Sequence, residues 1–320
     1  MKILITGGAG FIGSACAKKL LERGDNVVLI DNFNNYYNPQ LKHDRIKIFL
    51  KARSQKNKLK LYTGDIRDEK FLEKVFRKEK PHKIIHLAAM AGVRASLDNP
   101  ALYADVNVMG TTYLLGLSVK YGVKNFVYAS SSSVYGDSRK IPFSETDNVD
   151  EPISPYAATK KATELLAHVY SHIHKLKTTG LRYFTVYGPW GRPDMGVFKF
   201  IENIIRGKTI GVYNFGKMRR NFTYIDDIVS GTIVALDADL SCEIMNIGGD
   251  RDEALLDYIA AVEHYSGKKA KKKMMPMQPG DVRSTAADIS KLKKLGWKPT
   301  TRIGEGVQNF VDWYKRYYKI

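Results

Sequence analysis

Cysteine is scarce: Cys16 and Cys242 are the only two in 320 residues. They are too few and too far apart for a disulfide framework. Long apolar runs are missing as well. No stretch of eighteen apolar residues occurs, and the first apolar segment is a short strand and not a leader, which argues against membrane spanning and secretion. Acid is in short supply, with 33 Asp and Glu against 51 Lys and Arg, a formal net charge of +18. Such an excess bears on partners and not on fold. The lysines are spread along the chain, and the densest cluster, Lys268-Lys269-Ala270-Lys271-Lys272-Lys273, has no interleaved aromatics. It reads as a solvated basic surface and not as a nucleic-acid site. His168 and His172 are four apart, but no glutamate completes a metal-binding HExxH pattern. The expectation is a cytoplasmic enzyme with no metal, no membrane span and no nucleic-acid partner. Hydrophobic residues make up 44%, enough to fill a core, and the length suggests about two domains.

What is present begins at the amino terminus. Lys2 to Thr6 reads as a buried strand, Gly7-Gly8-Ala9-Gly10-Phe11-Ile12-Gly13 as a glycine turn, and Ser14 to Arg23 as a helix. Gly7, Gly10 and Gly13 suit a tight turn, close approach to a pyrophosphate and near contact of helix with strand. The helix amino terminus, with Phe11 and Ile12 leading into it, would receive the phosphates. A second strand, Val27 to Ile30, ends in Asp31. An acid at that spacing can bind both ribose hydroxyls, which favours NAD over its 2′-phosphorylated relative.

Further strands are expected at Lys60 to Tyr62, Lys83 to Leu87, Asn125 to Ala129 and Thr179 to Arg182. Helices are expected at Glu69 to Lys78, Ala101 to Tyr121 and Ala157 to Lys175. The alternation predicts an α/β fold, a doubly wound parallel (Rossmann) sheet over residues 1–183. Residues 184–320 alternate less regularly and are expected to form mainly a smaller substrate-binding lobe, with some late segments returning to the first domain.

Two motifs carry chemistry. Tyr156-Ala157-Ala158-Thr159-Lys160 sets a phenol and an ammonium on one helix face, where the cation can lower the tyrosine pKa and make it a base. The serine run Ser130 to Ser133 follows a strand at the carboxyl edge of the sheet, where doubly wound folds bind ligands. Ser131 is placed to share the oxygen that Tyr156 deprotonates. His86, among apolar neighbours, reads as a buried strand histidine.

With the glycine turn, Asp31-Asn32, His86-Leu87-Ala88-Ala89, the serine run and Tyr156-x-x-x-Lys160, the chain resembles the extended short-chain dehydrogenase/reductase family. Within it the chain is similar to the UDP-glucuronate 4-epimerases, most specifically through Asn32-Phe33-Asn34-Asn35-Tyr36-Tyr37 and Thr185-Val186-Tyr187-Gly188-Pro189-Trp190-Gly191-Arg192-Pro193-Asp194-Met195. The resemblance implies a UDP-sugar substrate, a bound NAD and a 4-keto intermediate reduced again from its other face. Tyr156 would be the base, Lys160 would bind the nicotinamide ribose, and Ser131 would share the sugar oxygen. It further implies Asn32, Asp65, Ile66, Leu87, Ala88, Ala89, Asn107 and Tyr183 on the cofactor side. Thr185 and Arg192, assisted by Ser132 and Ser133, would hold the sugar carboxylate, which as a β-keto acid is prone to leave as carbon dioxide. Arg220, and Arg283 in Gly280-Asp281-Val282-Arg283, would hold ribose and diphosphate, Tyr213 would stack on uracil, and Arg94 would reach phosphate or sugar. Loop capping by Arg192 and packing roles for Tyr213 and Arg94 stay open.

Where related decarboxylases and dehydratases carry acids, positions 132 and 133 are neutral hydroxyls. Three positions depart from the family pattern: Ala15 for histidine, Asn221 for aspartate, and Pro155, which leaves neutral UDP-hexoses and UDP-N-acetylhexosamines open. A non-catalytic NAD-binding module is the remaining alternative. A homodimer is expected from the family.

Overall fold

The computed structural model describes residues 1–52, 58–278 and 282–320. In chain order the first part runs β1 (Lys2–Thr6), α1 (Phe11–Arg23), β2 (Asn26–Asp31), α2 (Gln40–Ala52), β3 (Leu59–Thr63), α3 (Glu69–Glu79), β4 (Lys83–His86), α4 (Val93–Asp98) and α5 (Pro100–Tyr103). A π-helical segment, Ala104–Met109, leads into α6 (Gly110–Lys120), followed by β5 (Asn125–Ser131), a 3₁₀ turn Ser132–Tyr135, α7 (Pro155–His174) and β6 (Thr178–Tyr183). Then come β7 (Thr185–Tyr187), α8 (Gly196–Ile205), β8 (Thr209–Val212), β9 (Arg219–Arg220), β10 (Phe222–Tyr224), α9 (Ile225–Asp237) and β11 (Cys242–Ile247).

Seven strands form one sheet in the order β11-β6-β5-β4-β1-β2-β3, every pairing parallel. The alternation of β1 explains why it is buried on both faces. Ile3 and Ile5 join Cys16, Ala17 and Leu20 of α1 in one apolar cluster, whereas Leu4 joins Leu72, Val75, Leu114 and Leu115 of α3 and α6 in another. The seventh strand comes from far down the chain: β11 pairs with β6 from Cys242↔Thr178 to Ile247↔Tyr183, and α9 packs on α1. The first 183 residues therefore supply six strands, and a late segment completes the sheet.

Beyond β6 the strands are short. β7 pairs with β10, and β8 pairs with Lys271–Met274. Two sequence expectations need revision. The helix read over Ala101 to Tyr121 is three pieces, α5, the π-helical turn and α6, and β5 runs on through Ser130 and Ser131 before the chain turns. Both cysteines are free; burial pushes the Cys16 thiol up to about 12, which leaves it inert.

Candidate active site

A cavity of about 390 Å³ opens at the carboxyl ends of the parallel strands, the place where strand order reverses between β1 and β4. Its floor is the glycine turn. Gly7 has φ +66°, and a Cβ there would stand 2.8 Å from the amide nitrogen of Ala88. A Cβ on Gly10 would meet the Gly7 carbonyl oxygen at 2.9 Å, and one on Gly13 would overlap that same oxygen. Gly10 caps α1 without a side chain, so the first-turn amides point at whatever fills the cavity. Residues that a single methyl group would ruin thus form a cradle fitted to a dinucleotide pyrophosphate.

Phe11, Ile12, Asp31, Asn32, Asp65, Ile66, Leu87, Ala88 and Ala89 line the same cavity. The Asp31 carboxylate accepts from the Ala9 and Phe33 amides at 3.0 and 2.9 Å and from Lys42 Nζ at 3.3 Å. Lys42, buried on α2, belongs to no motif that marks it in the sequence; the fold brings it to Asp31 from a separate element. Asp65 accepts from Arg67 and from Asn32, and the Arg67 hydrogen bond holds its carboxyl down to about 2. Tyr183 turns its ring to the cavity while its hydroxyl pairs with Thr232 at 2.9 Å.

Asn107 departs from its expected place. It sits in the π-helical turn, and its side chain is spent elsewhere: Oδ1 accepts from the Met90 amide at 2.8 Å, and Nδ2 donates to the Met90 carbonyl and to Thr159 Oγ1, both at 3.0 Å. It clamps the cavity-lining Met90 loop onto α7 and does not itself line the cavity.

The reacting end gathers Ser131, Ser132, Ser133, Tyr156, Lys160, Thr185 and Arg192 around the cavity. Ser154 caps α7 by accepting from the Ala157 amide at 3.1 Å, and Pro155 takes the first helical position, where its missing N–H costs nothing. That explains Pro155 by helix entry alone. Lys160 Nζ donates to the Ala129 carbonyl at 2.7 Å and lies 6.0 Å from the Tyr156 ring centre. The expected control of the phenol takes a different form: burial pushes the Tyr156 pKa up, and the Ser131 hydroxyl and the Arg192 charge pull it back. Burial also drives the Lys160 ammonium down to about 8, against an upward pull from Glu164.

Arg192 forks onto Asp194, Nε at 3.1 Å and Nη2 at 2.5 Å, and covers the Tyr36 ring at 5.7 Å. Burial works against its charge, but Asp194 outweighs it and keeps the guanidinium protonated. Tyr36 lines the cavity, and its hydroxyl occupies the space a side chain at Gly92 would need. Tyr103 meets Tyr156 edge-on at 6.2 Å. Tyr36 belongs to the segment 32–37 and Asp194 stands two residues from Arg192, but only the fold shows what they touch.

His86 is a buried bridge. Thr111 donates to the Asn107 carbonyl at 2.5 Å, so it accepts from His86 Nε2 at 2.9 Å; His86 Nδ1 then accepts from Thr6 at 2.6 Å. Burial, with the Lys160 charge nearby, pushes its pKa down to about 3 and keeps it neutral. His168 and His172 are exposed.

Arg94, Tyr213, Arg220 and Arg283, expected to hold the nucleotide, are not among the residues that line this cavity. The Arg94 guanidinium covers the Tyr213 ring at 5.7 Å. Arg220 donates to the carbonyls of Arg219 and Arg283, at 2.9 and 3.2 Å, and the Arg283 side chain is exposed. The Gly280-Asp281 part of that motif lies outside the described residues.

The chain is similar to known proteins over nearly its full length. The model of the GDP-mannose 4,6 dehydratase family matches residues 4–310. A UDP-glucuronate 4-epimerase of Thermodesulfobacterium geofontis is 45% identical over 314 residues, covering 98% of this chain and 95% of that one. The crystal structure of UDP-glucuronic acid 4-epimerase from Bacillus cereus, in complex with UDP-glucuronic acid and NAD, superposes with a TM-score of 0.92 at 36% identity, covering 99% of this chain and 100% of that one. UDP-glucose 4-epimerase from Thermotoga maritima, with UDP-glucose, reaches 0.89 at 32% identity, covering 99% and 100%.

Proposed function

The chain belongs to the family of NAD-dependent nucleotide-sugar 4-epimerases and dehydratases, and from that premise we propose that it interconverts UDP-glucuronate and UDP-galacturonate. The observation that carries this reading is one cavity in which a phenol and a hydroxyl, Tyr156 and Ser131, stand with a guanidinium and a hydroxyl, Arg192 and Thr185. The first pair suits the sugar 4-hydroxyl and the second pair the carboxylate.

The glycine cradle, Asp31 and Lys160 would hold NAD, which would supply reversible hydride acceptance at C4. Tyr156 takes the proton of the 4-hydroxyl, with Ser131 sharing the oxygen as its charge develops. Once C4 is a ketone the carboxylate must not align for loss of carbon dioxide, and Arg192 and Thr185 restrain it. Ser132 and Ser133 bring no acid, so elimination loses its most recognisable catalyst here. Tyr156 then returns its proton to the oxygen on the inverted carbon.

The test is a product profile. Purified protein incubated with UDP-glucuronate yields UDP-galacturonate, separated by anion exchange; Tyr156→Phe abolishes turnover and keeps NAD bound. Faster turnover of UDP-glucose than of the acid, with Arg192→Leu sparing the neutral sugar, makes the enzyme a hexose epimerase. NAD binding with no turnover of any UDP-sugar makes it a binding module.

A further inference from the structure

Residues 32–37 start at the cofactor edge of the cavity and end beside Arg192. Asp31 accepts from the Phe33 amide at 2.9 Å, and Lys42 Nζ donates to Asp31 and to Asn34, at 3.3 and 3.1 Å, which pins the start of the segment. Two adjacent tyrosines then reach the loop that carries Arg192. Tyr37 accepts from Arg45 at 2.7 Å, and Arg45 donates onward to the Trp190 carbonyl at 2.5 Å, holding a residue whose φ is +66°. Tyr36 meets Arg192 itself, whose guanidinium lies over the ring at 5.7 Å. The Tyr36 hydroxyl stands against Gly92, where a Cβ would come within 2.6 Å of it. The side chain is thus wedged between a cavity-lining loop and Arg192. Burial, with the Asp194 charge nearby, holds the Tyr36 pKa above its ordinary value, so it stays a neutral phenol beside the cation.

We propose that Tyr36 is a positioning residue that sets substrate specificity, its ring face holding the Arg192 guanidinium where a sugar carboxylate can meet it. The proposal rests on the reading of Arg192 given above. Asp194 grips Arg192 along one edge, through Nε and Nη2. A fork on one edge leaves the tilt of the guanidinium plane free, and an aromatic face against that plane removes the freedom. The ring contact uses no N–H, so the donors that Asp194 does not take stay available for the carboxylate. The competing explanation is that Tyr36 only fills space beside Gly92.

Two ligands that differ by the carboxylate separate these explanations. UDP-xylose is UDP-glucuronate without that group. Both are titrated calorimetrically into NAD-loaded protein carrying Tyr156→Phe, which blocks turnover. Adding Tyr36→Leu is expected to weaken UDP-glucuronate about tenfold while UDP-xylose changes less than about twofold. Tyr36→Phe, which keeps the ring, keeps both affinities within about twofold of the parent. Equal losses on the two ligands in Tyr36→Leu, or no loss on either, overturn the proposal. So does a Tyr36→Phe variant as weak as Tyr36→Leu, which would give the effect to the hydroxyl. Where Tyr36→Leu does not fold, Tyr36→Met carries the same comparison. Arg192→Leu is the separate control: an unchanged affinity for UDP-glucuronate there overturns the reading of Arg192, and the proposal with it, whatever the Tyr36 variants do.

Discussion

At the level of single residues, the site sets function against stability at Lys160. Its ammonium is buried and pushed down to about 8 in the folded chain, below the ordinary value of 10.5. The sign follows from proton binding. Below pH 8 both folded and unfolded chains carry the proton, and the folded state bears the whole cost of burying charge. Between about 8 and 10.5 the unfolded chain binds more protons, so stability rises with pH. Lys160→Met is therefore expected to stabilise the protein at pH 7 by a few kcal/mol while removing activity. The gain shrinks above pH 8, as urea denaturation at pH 7, 8.5 and 10 will show. A destabilised variant at pH 7 would mean that the Ala129 bond outweighs the desolvation. Chemistry of this kind is half legible in a sequence. Tyr156 and Lys160 announce themselves by spacing, but the Ser131 and Arg192 influences on the phenol come from elements remote in the chain.

Among the elements, what the sequence revealed and what it hid divide along one physical line. Strands β1, β2, β4 and β5 are readable as apolar runs, while β3 (Leu59–Thr63) and β6 (Thr178–Tyr183) mix polar and apolar residues and follow from the alternation of elements; the observed limits of all six fall within two residues of expectation. Helix α2 was missed because two of the groups it buries are charged. Arg45 is fully buried, donating to the Ala9 carbonyl at 3.1 Å, to Tyr37 at 2.7 Å and to the Trp190 carbonyl at 2.5 Å. That one guanidinium ties the glycine turn to the loop bearing Arg192, and no hydropathy pattern reports it. The π-helical turn was hidden for a related reason: the wide turn holds Asn107, whose partners, Met90 and Thr159, lie 17 and 52 residues away. π-turns commonly mark functional places. Asn107→Ala removes the side-chain partner of the part-buried Met90 amide and carbonyl and is expected to cost about 1–3 kcal/mol. It should also loosen the loop Met90–Gly92 that lines the cavity, so NAD affinity falls along with the melting temperature. A variant that melts early but binds NAD as tightly as wild type would confine Asn107 to a structural role.

For the whole molecule the open question is what covers one face of α7. Leu165, Val169 and Ile173 recur every fourth residue and are 56%, 46% and 61% exposed, while Tyr156 and Lys160 of the same helix line the cavity. Met109, in the π-helical turn that packs on α7, and Leu97 of α4 are also exposed. A row of large apolar side chains on a helix in a chain carrying net charge +18 is a poor surface to leave in water. A second copy of the chain, laying the same stripe across this one, would bury both rows in a self-complementary contact. The charge excess then prevents further association, because like-charged dimers repel. On this view the wild-type protein runs at twice the chain mass in light scattering after gel filtration. Leu165→Arg with Val169→Arg shifts it to the single-chain mass, because two buried cations per subunit cannot be paired across the axis. Since α7 carries the base and its lysine, the monomer should also melt at a lower temperature and lose NAD more readily. A wild-type protein that is monomeric at micromolar concentration would dismiss the dimer and leave the stripe for a different partner.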